Sequence, residues 1–166
     1  MAATLVCGCQ TEKKKEAAKK KAVASMLRLH LQATPNSVYP TVPVTLLRSN
    51  PVNVTIARDP ILTEANVVAA RLIEAYGGFA VEIQFDGIAT TLLEQHTATN
   101  PGLHFVIFGQ WGDTIADSRW LAAPLITRRI TNGQLVFTPD MDRAQAELFV
   151  LGLKNDAKIL KKDVSK

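Results

Sequence analysis

Side chains able to do covalent or acid–base chemistry are few in this 166-residue chain, and they are scattered. There are three histidines (His30, His96 and His104), two cysteines (Cys7 and Cys9) and no Gly-x-Ser-x-Gly, glycine-rich phosphate loop or His-Glu-x-x-His. Serine hydrolases, nucleotide enzymes and zinc peptidases therefore have no basis here. His104 opens an apolar run, and with Asp113 or Asp117 of the following loop it is the best acid–base pair the order of residues offers, on which a small hydrolase would rest. His30 sits in an alternating run and reads as a solvent-facing strand residue, and His96 as a polar-face helix residue. Asp113, Asp117, Asp140 and Asp142 serve turns and helix starts more simply than catalysis. Cys7 and Cys9 are two residues apart with no ligand set around them, which excludes a disulfide framework and a zinc site. The expectation is a non-enzyme with no cofactor, no metal and no small-molecule substrate.

Contact chemistry is better supplied. Trp111 and Trp120 bracket a polar loop, Arg119 lies beside Trp120, and Arg128 and Arg129 follow on the next segment. Aromatic and arginine side chains on accessible loops dominate protein–protein hot spots, so these five are the candidate protein-binding residues. The competing reading is that the tryptophans cap the core while the arginines pair with surplus acids.

Charge locates the folded part. The chain carries 19 Lys and Arg against 15 Asp and Glu, a formal +4. Residues 1–25 hold six Lys and two Glu, residues 154–166 five Lys and two Asp, and between Met26 and Leu153 there is no lysine, only eight Arg against eleven acids. A body of net −3 with basic ends lacks the clustered basic face that phosphate neutralisation needs, so nucleic acid is not the expected partner. A hydrophobic fraction of 47% rules out wholesale disorder, and no apolar run reaches the roughly 18 residues of a membrane span.

The run Leu5-Val6-Cys7-Gly8-Cys9 resembles a bacterial lipobox, with Cys9 as the lipidated residue and residues 1–8 as a signal-peptide remnant. Eight residues are short for a charged region plus an apolar region of about 7–15, which suggests a start upstream of Met1 or a trimmed segment. Residues 9–25 then form a lysine-rich tether of about 20–24 Å r.m.s. span if coil. Acyl chains would anchor it and lysines would favour anionic headgroups. On this expectation the membrane is met through a lipid anchor only, on the periplasmic side of a bacterial envelope, inner or outer membrane left open.

The remaining elements must position the candidate contacts. Met26 to Gln32 alternates as a half-buried strand, and Val42 to Arg48 and Val52 to Arg58 are further strands. Leu62 to Tyr76 is ambiguous: its local pattern favours a helix capped by Thr63, yet Tyr76-Gly77-Gly78 also reads as a hairpin turn into Phe79–Phe85. Asp86 to Thr97 is a helix with Ile88, Thr91, Leu92 and Gln95 at helical spacing, and Leu103 to Phe108 is a strand apolar enough to be central. Arg119 to Ile126 is a strand that Pro124 assigns to an edge or bulge. Asn132-Gly133 makes a tight turn into Gln134–Phe137. Thr138-Pro139 starts a last helix to about Asn155, with Ala144, Leu148, Leu151 and Gly152 on one face.

Taken in order, Leu62-Thr63, Phe79 to Gly87, Leu92-Leu93, Thr97, Gly102 to Ile107, Ala123 to Ile126, Ile130, Gly133, Phe137-Thr138 and Ala144 resemble the periplasmic P1 head subdomain of the SecD and SecDF protein-export subunits, over residues 44–156. The resemblance implies an α+β fold: a mixed, mostly antiparallel sheet with two main helices packed on it, in a single domain over residues 26–156, with residues 157–166 as a basic tail. It also implies that residues 69–75 are a strand pairing with 79–85, reversing the local preference for helix. The chain departs from the family at Phe108 to Ser118, keeps only Gly133 of a glycine-rich turn, and lacks the transmembrane helices that couple export to a proton gradient, so proton-driven export does not carry over. What carries over is a surface that contacts an envelope protein or an unfolded polypeptide, in a stand-alone lipoprotein accessory to protein export. A structural scaffold of an envelope complex is the alternative, and a small hydrolase the lower one.

Overall fold

The structure is a computed structural model that describes residues 23–34, 38–47, 49–112 and 114–164. Cys7, Cys9 and the lysine-rich segment lie outside the described residues, as do Arg48 and Asp113. The strands are β1 (Met26–Leu31), β2 (Thr41–Leu46), β3 (Val52–Ala57), β4 (Leu62–Thr63), β5 (Val67–Ala75), β6 (Gly78–Phe85), β7 (Phe105–Gln110), β8 (Ser118–Ala122) and β9 (Gln134–Phe137). The helices are α1 (Gly87–Thr99) and α2 (Arg143–Val164). The fold is α+β and every described strand pair is antiparallel. The strands divide among three sheets, ordered β4-β1-β7-β8, β2-β3 and β5-β6-β9.

Residues 67–75 are a strand. Ala75 pairs with Gly78 and Val67 with Phe85 around Tyr76-Gly77, where Gly77 has φ +79. A short 3-10 turn, Glu64–Asn66, precedes it, and Thr63 and Asn66 form a reciprocal cap there. The alanine-rich composition that suggests a helix is overridden because the strand finds β6 across a two-residue turn.

The four- and three-stranded sheets share one core with both helices, built on Leu27, Leu29, Ile83, Phe105, Ile107, Leu121, Phe149 and Leu153. The β2–β3 hairpin covers the other face of the four-stranded sheet with a second, smaller cluster of Val44, Leu46, Ile56 and Val106. β7 is therefore apolar on both sides, as its run of buried residues requires. The same hairpin corrects the expectation for His30. That side chain is only 6% exposed, lies edge-on to Trp120 at 5.4 Å, and its Nδ1 meets the Ala57 carbonyl at 3.0 Å.

Both helices bury a face offset from the one read from the sequence, although Gly152 of the expected α2 face is buried. α1 turns Ala89, Leu93 and Thr97 inward and leaves Ile88 77% exposed. α2 buries Ala146, Phe149, Val150, Leu153 and Ala157, with Ala144 and Leu148 outside. It also starts four residues after Pro139. Asp142 accepts from the Gln145 N–H and Gln145 returns its side-chain oxygen to the Asp142 N–H, a capping box that outcompetes Thr138-Pro139 as the helix start. At its other end the helix continues past Asn155 to Val164.

Candidate functional site

The five candidate contact residues fall into three surroundings. Trp111 follows β7 and is 4% exposed in the main core, with the Arg119 guanidinium 4.8 Å from its ring centroid. Arg119 also donates to the Asp140 carbonyl at 3.3 Å. Successive residues of a strand face opposite sides, so Trp120 points the other way, beneath the β2–β3 hairpin. There it packs edge-on to Phe108 at 5.3 Å and His30 at 5.4 Å. Trp111 and Trp120 thus join the sheet to what covers its two faces, and Trp111 offers almost no surface.

Arg128 and Arg129 lie apart from these, on the exposed segment between β8 and β9. They line a groove of about 420 Å³ whose walls are residues 124–132 and the outer side of β9, and whose floor includes Thr97 and Phe105. Arg129 forms an ion pair with Glu94 of α1, while Arg128 has no polar partner among the described residues. The groove lining contains no Asp or Glu, and with Arg129 paired to Glu94 its uncompensated charge is that of Arg128.

Thr97 holds the floor in place. Its hydroxyl donates to the Leu93 carbonyl at 2.7 Å and accepts from the Ile130 N–H at 3.0 Å, which ties the basic segment to the helix. The segment is also laced to the start of β7 by Ile126 N–H to Leu103 O and Phe105 N–H to Pro124 O, at 2.8 and 3.0 Å. This continues the β8 edge past a register irregularity at Ile107/Phe108, in accord with the reading of Pro124.

Of the two acid–base pairings, His104 with Asp117 does not survive the geometry, and Asp113 lies outside the described residues. His104 precedes β7 and Asp117 follows it, so a six-residue strand holds them about 20 Å apart. His104 Nδ1 is instead 2.8 Å from the Gln32 side-chain oxygen, and the Asp117 carboxylate accepts from the Thr114 hydroxyl at 2.6 Å. Burial holds His30 below the ordinary histidine range, opposed by the Ala57 carbonyl, and burial does the same to His96. Burial raises Asp156, aided by Glu64, although the Ser25 N–H opposes it. Among the described residues no group of three or more His, Cys, Asp or Glu is placed to hold a metal ion.

What sequence reasoning missed is the open main-chain edge beside the two arginines. It has no side-chain signature; the only hint was a four-residue strand after Asn132-Gly133 with no obvious later strand to pair with.

The sequence matches no family model and no curated protein. Solved structures do match. One is the membrane component SecDF, described as enhancing protein export, with a TM-score of 0.58 and 18% identity over 92% of this chain and 72% of that one. Another is SecDF in its super-membrane-facing form, with a TM-score of 0.59 and 19% identity over 89% of this chain but only 21% of that one. At these identities the likeness is one of fold, and it extends beyond residues 44–156 to most of the chain. This chain spans about a fifth of that longer SecDF chain. Among the described residues no helix is long and apolar enough to cross a membrane.

Proposed function

We propose that this protein is a non-catalytic, envelope-facing module that binds protein or unfolded polypeptide, held at the membrane by a lipid on Cys9 and acting as an accessory to protein export. The observation that carries this reading is the SecDF fold, present over about nine-tenths of the chain, taken together with a lipobox-like Leu5-Val6-Cys7-Gly8-Cys9. The separation of His104 from Asp117 supports a binding role over hydrolysis. On this reading the residues before Val23 form the tether, and the working domain runs from Val23 through the basic last turns of α2. Arg128 and Arg129 are the contacts best placed for a client, because they are exposed beside a groove, whereas Trp111 and Trp120 support the sheet from within.

The anchor is tested by fractionating cells that express the full reading frame with Cys9→Ser. The wild-type protein is expected in membranes and the variant in the soluble envelope fraction. Retention of the variant in membranes would remove the anchor from this reading. Client binding is tested separately, by cross-linking the wild-type chain to a denatured, export-competent polypeptide and repeating the experiment with Arg128→Glu. Equal cross-linking yields would remove the arginines from the contact surface.

A further inference from the structure

Two sheet edges meet at the basic groove, and their main-chain groups are not used up. Along the β6–β9 ladder the Phe85 N–H donates to the Gly133 carbonyl at 3.0 Å. Antiparallel pairing alternates, so Gly133, Leu135 and Phe137 direct their main-chain groups toward β6. Gln134 and Val136 direct theirs outward, where β9 has no neighbouring strand among the described residues. Asn132 Oδ1 takes the Gln134 N–H at 3.1 Å. The Gln134 carbonyl and both main-chain groups of Val136 have no partner among the described residues. Across the groove, Pro124 and Ile126 bond toward β7, and Leu125, opposite His104, points its N–H and C=O the other way. Val136 is 46% exposed and Leu125 50% exposed, so both walls also present apolar surface.

A free strand edge with exposed β-branched and leucine side chains is a template for another strand, and strand addition takes affinity from main-chain bonds and specificity from side-chain pockets. The charge completes the description: Arg128 and Arg129 stand on the rim, and the lining has no acid. We propose that the groove between β9 and residues 124–132 binds an extended polypeptide segment as an added strand on β9, with a preference for segments carrying Glu or Asp. The inference rests on the polypeptide-binding reading above and adds to it the site, the conformation and the charge of the bound segment.

The test uses the full chain, isotopically labelled, and three six-residue peptides blocked at both ends: Thr-Val-Glu-Val-Glu-Thr, the same peptide with Lys in place of Glu, and the Glu peptide with alternate peptide nitrogens methylated. With the Glu peptide, the Val136 and Leu125 amide signals are expected to shift saturably, and the Val136 amide to exchange with deuterium at least tenfold more slowly. Methylation should weaken binding at least tenfold, and the Lys peptide should bind several-fold more weakly at low salt. Val136→Pro removes only an N–H that points away from β6, a position where an edge strand tolerates proline, and should abolish binding. Arg128→Glu, which leaves the backbone alone, should reverse the preference between the Glu and Lys peptides. Binding that perturbs other residues, or that ignores methylation, overturns the inference and leaves the polypeptide-binding reading standing. Failure of all three peptides to bind at millimolar concentration overturns both. Concentration-dependent dimerisation that protects the same amides would assign the edge to a second copy of the chain and overturn the inference as well.

Discussion

Replacing Gly152 by alanine should destabilise the protein, although helix propensity alone points the other way. Gly152 is in α2, where alanine is worth about 1 kcal/mol more than glycine in an open helix. A Cβ at this position, however, would stand 2.1 Å from Ser25 Oγ, 2.7 Å from Ser25 Cβ and 2.7 Å from the Ala24 carbonyl carbon. Two of these are side-chain atoms of a short residue and the third is backbone, so no rotamer relieves the overlap. The chain entering β1 would have to move, and it is held there by Ser25 N–H to Asp156 Oδ2 at 3.1 Å and Asn155 Nδ2 to Val23 O at 2.9 Å. Overpacking of this kind costs about 1–3 kcal/mol, and weakening a hydrogen bond to a carboxylate costs part of about 1.5–3 kcal/mol. Set against the propensity gain, the balance is a loss of about 1–3 kcal/mol, readable as a lower urea midpoint at constant slope or a Tm lowered by about 3–10 °C. Ser25→Ala should recover part of the loss by removing the nearest atom. It should also stabilise the unaltered protein by about 1 kcal/mol, because Ser25 Oγ is buried without a hydrogen-bond partner. A Gly152→Ala chain as stable as the parent, or more so, would refute the close approach of α2 to the start of β1.

Two further outcomes follow from groups that sequence reading placed at the surface or passed over. Burial lowers the pKa of His30 in the folded protein below its unfolded value of 6.5, so between those values the unfolded chain binds more protons. Stability should therefore be fully present above about pH 6.5 and fall as pH drops below it, until the folded-state pKa is passed. His30→Asn, whose amide can still serve the Ala57 carbonyl, should flatten that slope in urea melts at pH 5.5–7, and an unchanged slope would count against burial of the ring. Thr97→Val keeps the shape of the groove floor but leaves the buried-side Ile130 N–H without its acceptor. It should cost about 1–3 kcal/mol, and it should accelerate amide exchange at Ile130 before any change at Leu93.

The strands were legible because period-two alternation, or in β7 a short continuous apolar run, survives without knowledge of neighbours. β1, β2, β3, β6 and β7 fall within a residue or two of where the pattern puts them. β5 was legible only through the order of the elements around it, since its own alanines argue for helix. Burial was harder to read because it is decided by what arrives from elsewhere. His30 alternates as an outward residue should, yet a hairpin more than ten residues downstream covers it. α1 buries the partly polar face of Ala89, Leu93 and Thr97, so Ile88 and Leu92 mark the wrong side. Of the five candidate residues, Arg128 and Arg129 lie exposed on the surface, as their charge suggests. The unpaired edge beside them was not legible, because an unused N–H or C=O belongs to the register of a ladder and not to any residue type.

The placement of that edge bears on how an anchored module would work. Met26 pairs with Gln110 and Leu31 with Phe105, so the chain enters the domain at the Gln110 end of β7. Val23 and Ser25 are fastened there by Asn155 and Asp156 of α2. The groove has Phe105 in its floor and Leu125 opposite His104, so it opens at the other end of the same strand. Six residues of β-strand put about 20 Å between the two ends. Whatever fastens residues upstream of Val23 therefore holds the domain from one end and leaves the basic groove at the other. The separation also has an electrostatic consequence. At about twice the Debye length of physiological salt, any charge held at the chain-entry end would contribute little field at Arg128. A preference for acidic segments would then be set by the two groove arginines, and neutralising the six N-terminal lysines should leave it unchanged. If that neutralisation instead weakened the Glu peptide as strongly as Arg128→Glu does, the lysine-rich segment would have to reach the groove itself, and attachment and recognition could not be separate ends of one domain.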